Sequence, residues 1–257
     1  MSGETPLRTQ VDDGVGWLVF DNPARHNALT IEMARLGIEA LAAFDADEGV
    51  RVIALRGAGE RAFMSGADIG EQGREPDLFR ETAHRFLDAL AVAEKPVIAA
   101  ISGYCLGGGV SVALQADLRV ASDTGTFGVP AAKLGIAYPW NSIGPLVALV
   151  GPGFASDLLF TGRRIDAAEA RAIGLVEHVL PSEGFEGAAL EFASQIARNA
   201  PLSLRAAKAG IRATRPRPDA VEMADLAAML RRCETSADYQ EGQAAFRERR
   251  APRFTGG

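Results

Sequence analysis

The sequence predicts an α/β body that gives way to helices toward its C-terminus. Short apolar runs recur along the first two thirds, at 15–20, 52–55, 96–101 and 118–121. Segments with apolar residues three and four apart separate them. From about Glu183 onward only the helical period remains. Alternating strands and helices followed by helices alone describe a mixed sheet with a helical extension.

Val15 to Phe20 reads as a buried strand ended by Asn22 and Pro23. Thr30 is placed to cap a helix running to about Phe44, with Ile31, Met33, Leu36, Ile38, Leu41 and Phe44 near helical spacing. Val52 to Leu55 is a second strand. A loop is expected over Phe63–Ile69, then an amphipathic helix from Leu78 to Ala93. Pro96–Ile101 is another strand, Gly103–Gly109 a glycine-rich turn, and 108–116 a helix. Leu118–Ala121 is a strand. Helices are expected at 143–150, 154–160 and 167–173, and a strand at 176–179. Pro201, Pro216 and Pro218 punctuate the helical remainder, with 216–218 a hinge or a helix–helix turn.

The chain has 257 residues, 47% of them apolar and 23% charged, with a net charge of −6. This suits a globular protein with an ample core and argues against nucleic acid or an anionic membrane as a global partner. The two cysteines, Cys105 and Cys233, have no metal spacing and read as reduced thiols of a cytoplasmic protein. His26, His84 and His178 are scattered, so no metal site is expected. The segment 1–10 lacks an apolar core, so no signal peptide is expected. No apolar run approaches the roughly 20 residues that span a bilayer.

The most informative stretch is Ser102-Gly103-Tyr104-Cys105-Leu106-Gly107-Gly108-Gly109-Val110-Ser111. A buried strand runs into three glycines and then a helix, whose first N–H groups have no partner within it. The helix dipole adds positive charge there, and the missing Cβ atoms permit close approach. The spacing fits neither a dinucleotide fingerprint nor a P-loop, and a tight packing turn is the plain alternative. Phe63–Ile69 also follows a buried strand and places Gly66 before a donor. Two such loops can offer two N–H groups to one oxygen.

Taken together, Asn22-Pro23, Asn27-Ala28-Leu29-Thr30, Phe63-Met64-Ser65-Gly66-Ala67-Asp68-Ile69, the triple glycine, Ala116-Asp117-Leu118-Arg119, Phe127-Gly128 and Gly174-Leu175-Val176 resemble the crotonase (enoyl-CoA hydratase/isomerase) superfamily in order and spacing, from about residue 10 to the C-terminus. The resemblance implies a spiral of ββα units over 1–200 and a helical trimerisation section over 201–257. It implies a homotrimer or a hexamer built as a dimer of trimers. It implies an acyl-CoA thioester substrate, coenzyme A being part of that substrate, with no separate cofactor. By position, the oxyanion donors are the N–H groups of Ala67 and Gly108. The nucleotide regions lie along Arg25, His26 and Ala28 and along Ser65, Gly66, Asp68 and Ile69, with Gly107 beside the second donor. Arg25 is the candidate phosphate partner or an ordinary surface arginine. Asp68 reads as a loop or helix cap.

The sequence departs from the family's hydratases at both acids. One glutamate normally follows the triple glycine by two residues, where this chain has Ser111. The other lies in Phe-Gly-x-Pro-Glu, where this chain reads Phe127-Gly128-Val129-Pro130-Ala131. Each positioned acid or base contributes roughly 10²–10⁴ in rate, so efficient hydration by the usual route is not expected. The Leu134-Gly135-Ile136-Ala137-Tyr138 stretch resembles methylmalonyl-CoA decarboxylase, a relative with a tyrosine at the reacting carbon. Tyr138 is then a catalytic candidate or a pocket-lining residue, and Trp140 a shaper of the acyl pocket. Glu71 is the nearest substitute acid in sequence. Arg250 and Phe254, in the tail, are candidates to touch a neighbouring subunit's nucleotide. A non-catalytic acyl-CoA-binding paralogue is the reading from a different class.

Overall fold

The computed structural model describes residues 5–214 and 220–255; the 216–218 hinge expectation lies outside them. The elements in chain order are β1 (Leu7–Asp12), β2 (Val15–Phe20), α1 (Ile31–Ala46), β3 (Val52–Gly57), β4 (Ala62–Met64), α2 (Ile69–Arg74), α3 (Pro76–Val92), β5 (Val97–Ile101), β6 (Tyr104–Leu106), α4 (Gly108–Gln115), β7 (Leu118–Ser122) and β8 (Thr126–Gly128). There follow α5 (Trp140–Thr161), β9 (Arg164–Asp166), α6 (Ala167–Ala172), β10 (His178–Leu180), α7 (Phe185–Ala197), α8 (Pro201–Ala213), α9 (Ala220–Glu234) and α10 (Ala237–Glu248). Short 3-10 turns lie at Pro23–Arg25 and Pro130–Leu134. Among the described residues, contacts group 5–127 and 165–213 into one compact unit, and 128–164, 214 and 220–255 into a second.

In the first unit six strands form one sheet in the order β1-β2-β3-β5-β7-β10. Only β1 is antiparallel. Every residue of β2 is buried, which is why it reads as a continuous apolar run. Val15, Trp17 and Val19 pack with Val52, Ala54, Ile98 and Val120 against Phe185, Ala189, Ala193 and Ala197 of α7. Those four sit four apart, one helical stripe. On the other face Phe20 meets Phe63 and Phe86 edge-on, with centroids 5.7 and 6.2 Å apart. β1 escapes the sequence pattern because only Leu7 in it is buried.

The short strands β4, β6, β8 and β9 make a second sheet in that order. The expected turn over Gly103–Gly109 therefore contains a strand, and the expected loop over Phe63–Ile69 begins in β4 and ends in α2. Three residues carry too little pattern for either to be read.

In the second unit, α5 joins the two helices expected at 143–150 and 154–160 and starts earlier, at Trp140. By length and composition its 22 residues are enough to cross a membrane, which corrects the expectation that no apolar run approaches that size. Gly151, with φ 76° and ψ 164°, breaks it just before Pro152. Each straight segment falls short of the roughly 20 residues of a span. Gly135 and Gly242 pack the 3-10 turn on α10, where a Cβ on Gly242 would lie 2.1 Å from the Leu134 carbonyl oxygen.

Candidate active site

The site is built where β4 and β6 run parallel, side by side. Both strands end in a glycine turn that opens a helix, so the two turns emerge together. Gly66 takes φ 124° and Gly107 φ 50°, conformations that side chains resist. A Cβ on Gly109 would lie 2.2 Å from the Met64 carbonyl oxygen, and one on Gly108 would lie 3.2 Å from the Ala67 nitrogen. The glycines thus let the second turn lie against the first.

Each turn presents one amide. Ala67 forms a parallel bridge with Leu29. The Leu29 N–H donates to the Gly66 oxygen at 2.8 Å, and the Asp68 N–H donates to the Leu29 oxygen at 2.8 Å. In that pattern the N–H of the bridged residue points away from the partner strand, so the Ala67 amide faces away from Leu29. Gly108 is the first residue of α4, where an N–H has no intrahelical acceptor. Neither amide has an acceptor among the described residues. Both residues are partly exposed, so a ligand oxygen can reach them. Two convergent N–H groups with a helix dipole behind one can bind an oxygen that gains negative charge.

The segment from Arg25 to Ile31 runs along the first turn. The Ser65 N–H donates to the His26 oxygen at 3.0 Å and its hydroxyl to the Arg25 oxygen at 3.2 Å. Arg25 pairs with Asp68 at 2.6 Å, while its side chain stays 65% exposed. Its charge is therefore shared with Asp68. Asp68 accepts the Glu71 N–H at 3.0 Å, the cap of α2. Burial pushes its carboxyl up, but the Glu71 N–H and Arg25 outweigh this and leave it below the usual 3.8. Ala28 is buried and Ile69 opens α2. His26, in the left-handed region, sets its ring edge-on to Tyr104.

Ser111 lies one turn into α4, buried, its N–H donating to the Gly107 oxygen at 3.1 Å. Ala131, Tyr138 and Trp140 belong to the second unit. Ala131 and Tyr138 are buried there, and Trp140 opens α5. Burial pushes the Cys105 thiol far up, which suits a packed residue rather than a nucleophile. Among the described residues, no group of three or more His, Cys, Asp or Glu could hold a metal.

Three residues matter more than their sequence context suggested. Asn27, fully buried with φ 56°, donates to the Ala58 and Ala62 oxygens at 3.1 and 2.7 Å and accepts the Asn22 N–H. Lys208, also buried, binds Asp117 and the Lys95 oxygen, each at 2.7 Å. Glu71 accepts the Ile31 N–H at 2.7 Å. Asparagine beside proline hints at the first. A lone lysine or glutamate on a helix gives no signal of its partner.

An α/β enzyme with paired backbone donors at two glycine turns is the class that the fold and this geometry define. The sequence matches the family described as enoyl-CoA hydratase/isomerase over residues 10–257. It is 35% identical to enoyl-CoA hydratase EchA19 of Mycobacterium tuberculosis, covering 92% of this chain and 91% of that one. It is 33% identical to the short-chain-enoyl-CoA hydratase of Clostridium acetobutylicum, over 92% of each. Methylmalonyl-CoA decarboxylase in complex with 2-nitronate-propionyl-CoA superposes with a TM-score of 0.90 at 28% identity, covering 99% of this chain and 100% of that one. The chain belongs to the enoyl-CoA hydratase/isomerase family of the crotonase superfamily, and it is an acyl-CoA enzyme of that family.

Proposed function

We propose that the chain binds an acyl-CoA thioester, seats its carbonyl oxygen between the N–H groups of Ala67 and Gly108, and stabilises the enolate formed there. The observation that carries this is the pair of reachable amides, without acceptors among the described residues, on two turns in contact. One such donor is worth about 10²–10³ in rate. Arg25 and the 65–69 segment would hold the nucleotide end, with Arg25 lending the part of its charge not spent on Asp68.

Ser111 and Ala131 stand where the hydratases carry glutamates, so hydration is expected to be inefficient. A hydroxyl needs a base to activate it, and a methyl group transfers no proton. A second reading, decarboxylation of a methylmalonyl-CoA-like thioester, is favoured by the 0.90 superposition on methylmalonyl-CoA decarboxylase and by Tyr138. Loss of CO₂ leaves an enolate that needs the donors more than an acid, and Tyr138 would orient the carboxylate or deliver the proton. Trp140 would shape the acyl pocket. We place the protein in the cytoplasm, assembled through its C-terminal helices as a trimer or a dimer of trimers, with no cofactor beyond the substrate's coenzyme A.

Incubation of the pure protein with crotonyl-CoA and methylmalonyl-CoA, followed by mass analysis, tests these readings. Loss of CO₂ from the second is the outcome the Tyr138 reading expects. Rapid gain of water on the first would refute inefficient hydration. Binding without turnover across a panel of thioesters would make the chain a binding paralogue.

A further inference from the structure

We infer that Glu71 is a positioning residue for the Ala67 donor rather than an acid. The inference rests on the donor-pair reading above. The Glu71 carboxylate accepts the Ile31 N–H at 2.7 Å. Ile31 is the first residue of α1, so its amide has no acceptor within that helix. A carboxylate is favoured at that end of the helix dipole. Two residues back, Leu29 holds the Gly66 oxygen and the Asp68 N–H, each at 2.8 Å. The Glu71 N–H in turn donates to the Asp68 side chain. These bonds close a ring that runs from Gly66 through Asp68 and Glu71 to Ile31 and back through Leu29. Ala67 is inside that ring, and its N–H faces away from Leu29. The Glu71 side chain ties the start of α1 to α2 in this ring. Without it, the link from Ile31 to α2 is lost, and the 66–68 turn keeps the two Leu29 bridge bonds, the Ser65 bonds and the Arg25–Asp68 pair on its other side. The direction of the Ala67 N–H then loosens, and such a donor works only when fixed in advance.

Glutamine separates the two roles. It keeps an oxygen that accepts the Ile31 N–H but carries no transferable proton. The probe is butyryl-CoA labelled with ¹³C at the thioester carbonyl, which has no conjugated double bond to hydrate. The infrared stretch of its carbonyl, bound to the full chain, reads the donors directly. In the unaltered protein the band moves to lower frequency than in free butyryl-CoA. Glu71→Ala is expected to lose about half of that displacement or more, as one of two donors is misaligned, whereas Glu71→Gln keeps it. Ile31→Pro provides an independent variant. Proline is tolerated at the first helical position, Thr30 before it is already extended at φ −109° and ψ 165°, and the N–H that Glu71 accepts is removed; Ile31→Ala, which keeps that N–H, controls for the lost side chain and is expected to keep the displacement. Ile31→Pro is expected to match Glu71→Ala, and it decides the matter should that variant not fold. A full displacement in Glu71→Ala or Ile31→Pro would overturn the inference, as would equal loss in Glu71→Gln. An unshifted carbonyl in the unaltered protein would remove the donor-pair reading itself.

Discussion

The two donor turns deliver the same group, a free N–H, by different means. The turn at Ser65–Asp68 is laced from outside by the Leu29 bridge, the Ser65 bonds, the Arg25–Asp68 pair and the Glu71 carboxylate. The turn at Gly107–Gly109 is shaped differently. Its missing side chains let it pack close, since a Cβ at Gly109 would strike Met64, and the start of α4 supplies the Gly108 amide. The first turn should therefore be sensitive to the loss of side chains and the second to their addition. The first can also be tuned, because several separate bonds set its direction.

The largest effect is expected where a donor is deleted. Gly108→Pro removes the N–H at a helix position that accepts proline. Turnover of whichever acyl-CoA proves to be the substrate should fall about 10²–10³-fold. Gly108→Ala is the control for the second turn's sensitivity to bulk, since it keeps the amide but adds a Cβ 3.2 Å from the Ala67 nitrogen. Steady-state kinetics should show the alanine variant well above the proline one. Equal losses would mean that crowding, not the missing donor, is at work.

This contrast also explains how much the sequence disclosed. The second turn was legible because three consecutive glycines are rare and sit between a strand and a helix. The first was legible as a loop with Gly66 before a donor, but its lacing was not, since it comes from residues about 40 positions away whose types do not name their partners. Glu71, the nearest candidate for a substitute acid in sequence, accepts the Ile31 N–H at the start of α1. The principal strands and the Thr30 cap were readable from apolar runs and spacing. The three-residue strands and polar β1 were not, because tertiary pairing rather than local pattern makes them. Asn27 tests the lacing on the stability side. Asn27→Ala would leave the Ala58 and Ala62 oxygens and the Asn22 N–H without their partner. A loss of about 1–3 kcal/mol is expected, measured by urea denaturation. A smaller loss would mean that water replaces those bonds.

The smallest expected effect concerns the charge in the first turn. Asp68→Asn keeps a side chain that can cap α2 but removes the partner of Arg25, which is mostly exposed. Such a pair is worth up to about 1 kcal/mol. The sign with pH follows from the lowered carboxyl of Asp68. A carboxylate titrating lower in the folded state contributes its full stability above the unfolded value, near 3.8. It loses that contribution as pH falls through the folded value. The stability gap between the unaltered protein and Asp68→Asn should thus be constant from pH 8 to about 5 and close below about 3.8. Paired urea melts across this range measure the gap. A gap that persists undiminished at low pH would show that Asp68 acts through its shape and its cap, and that the charge of Arg25 is available in full to a ligand.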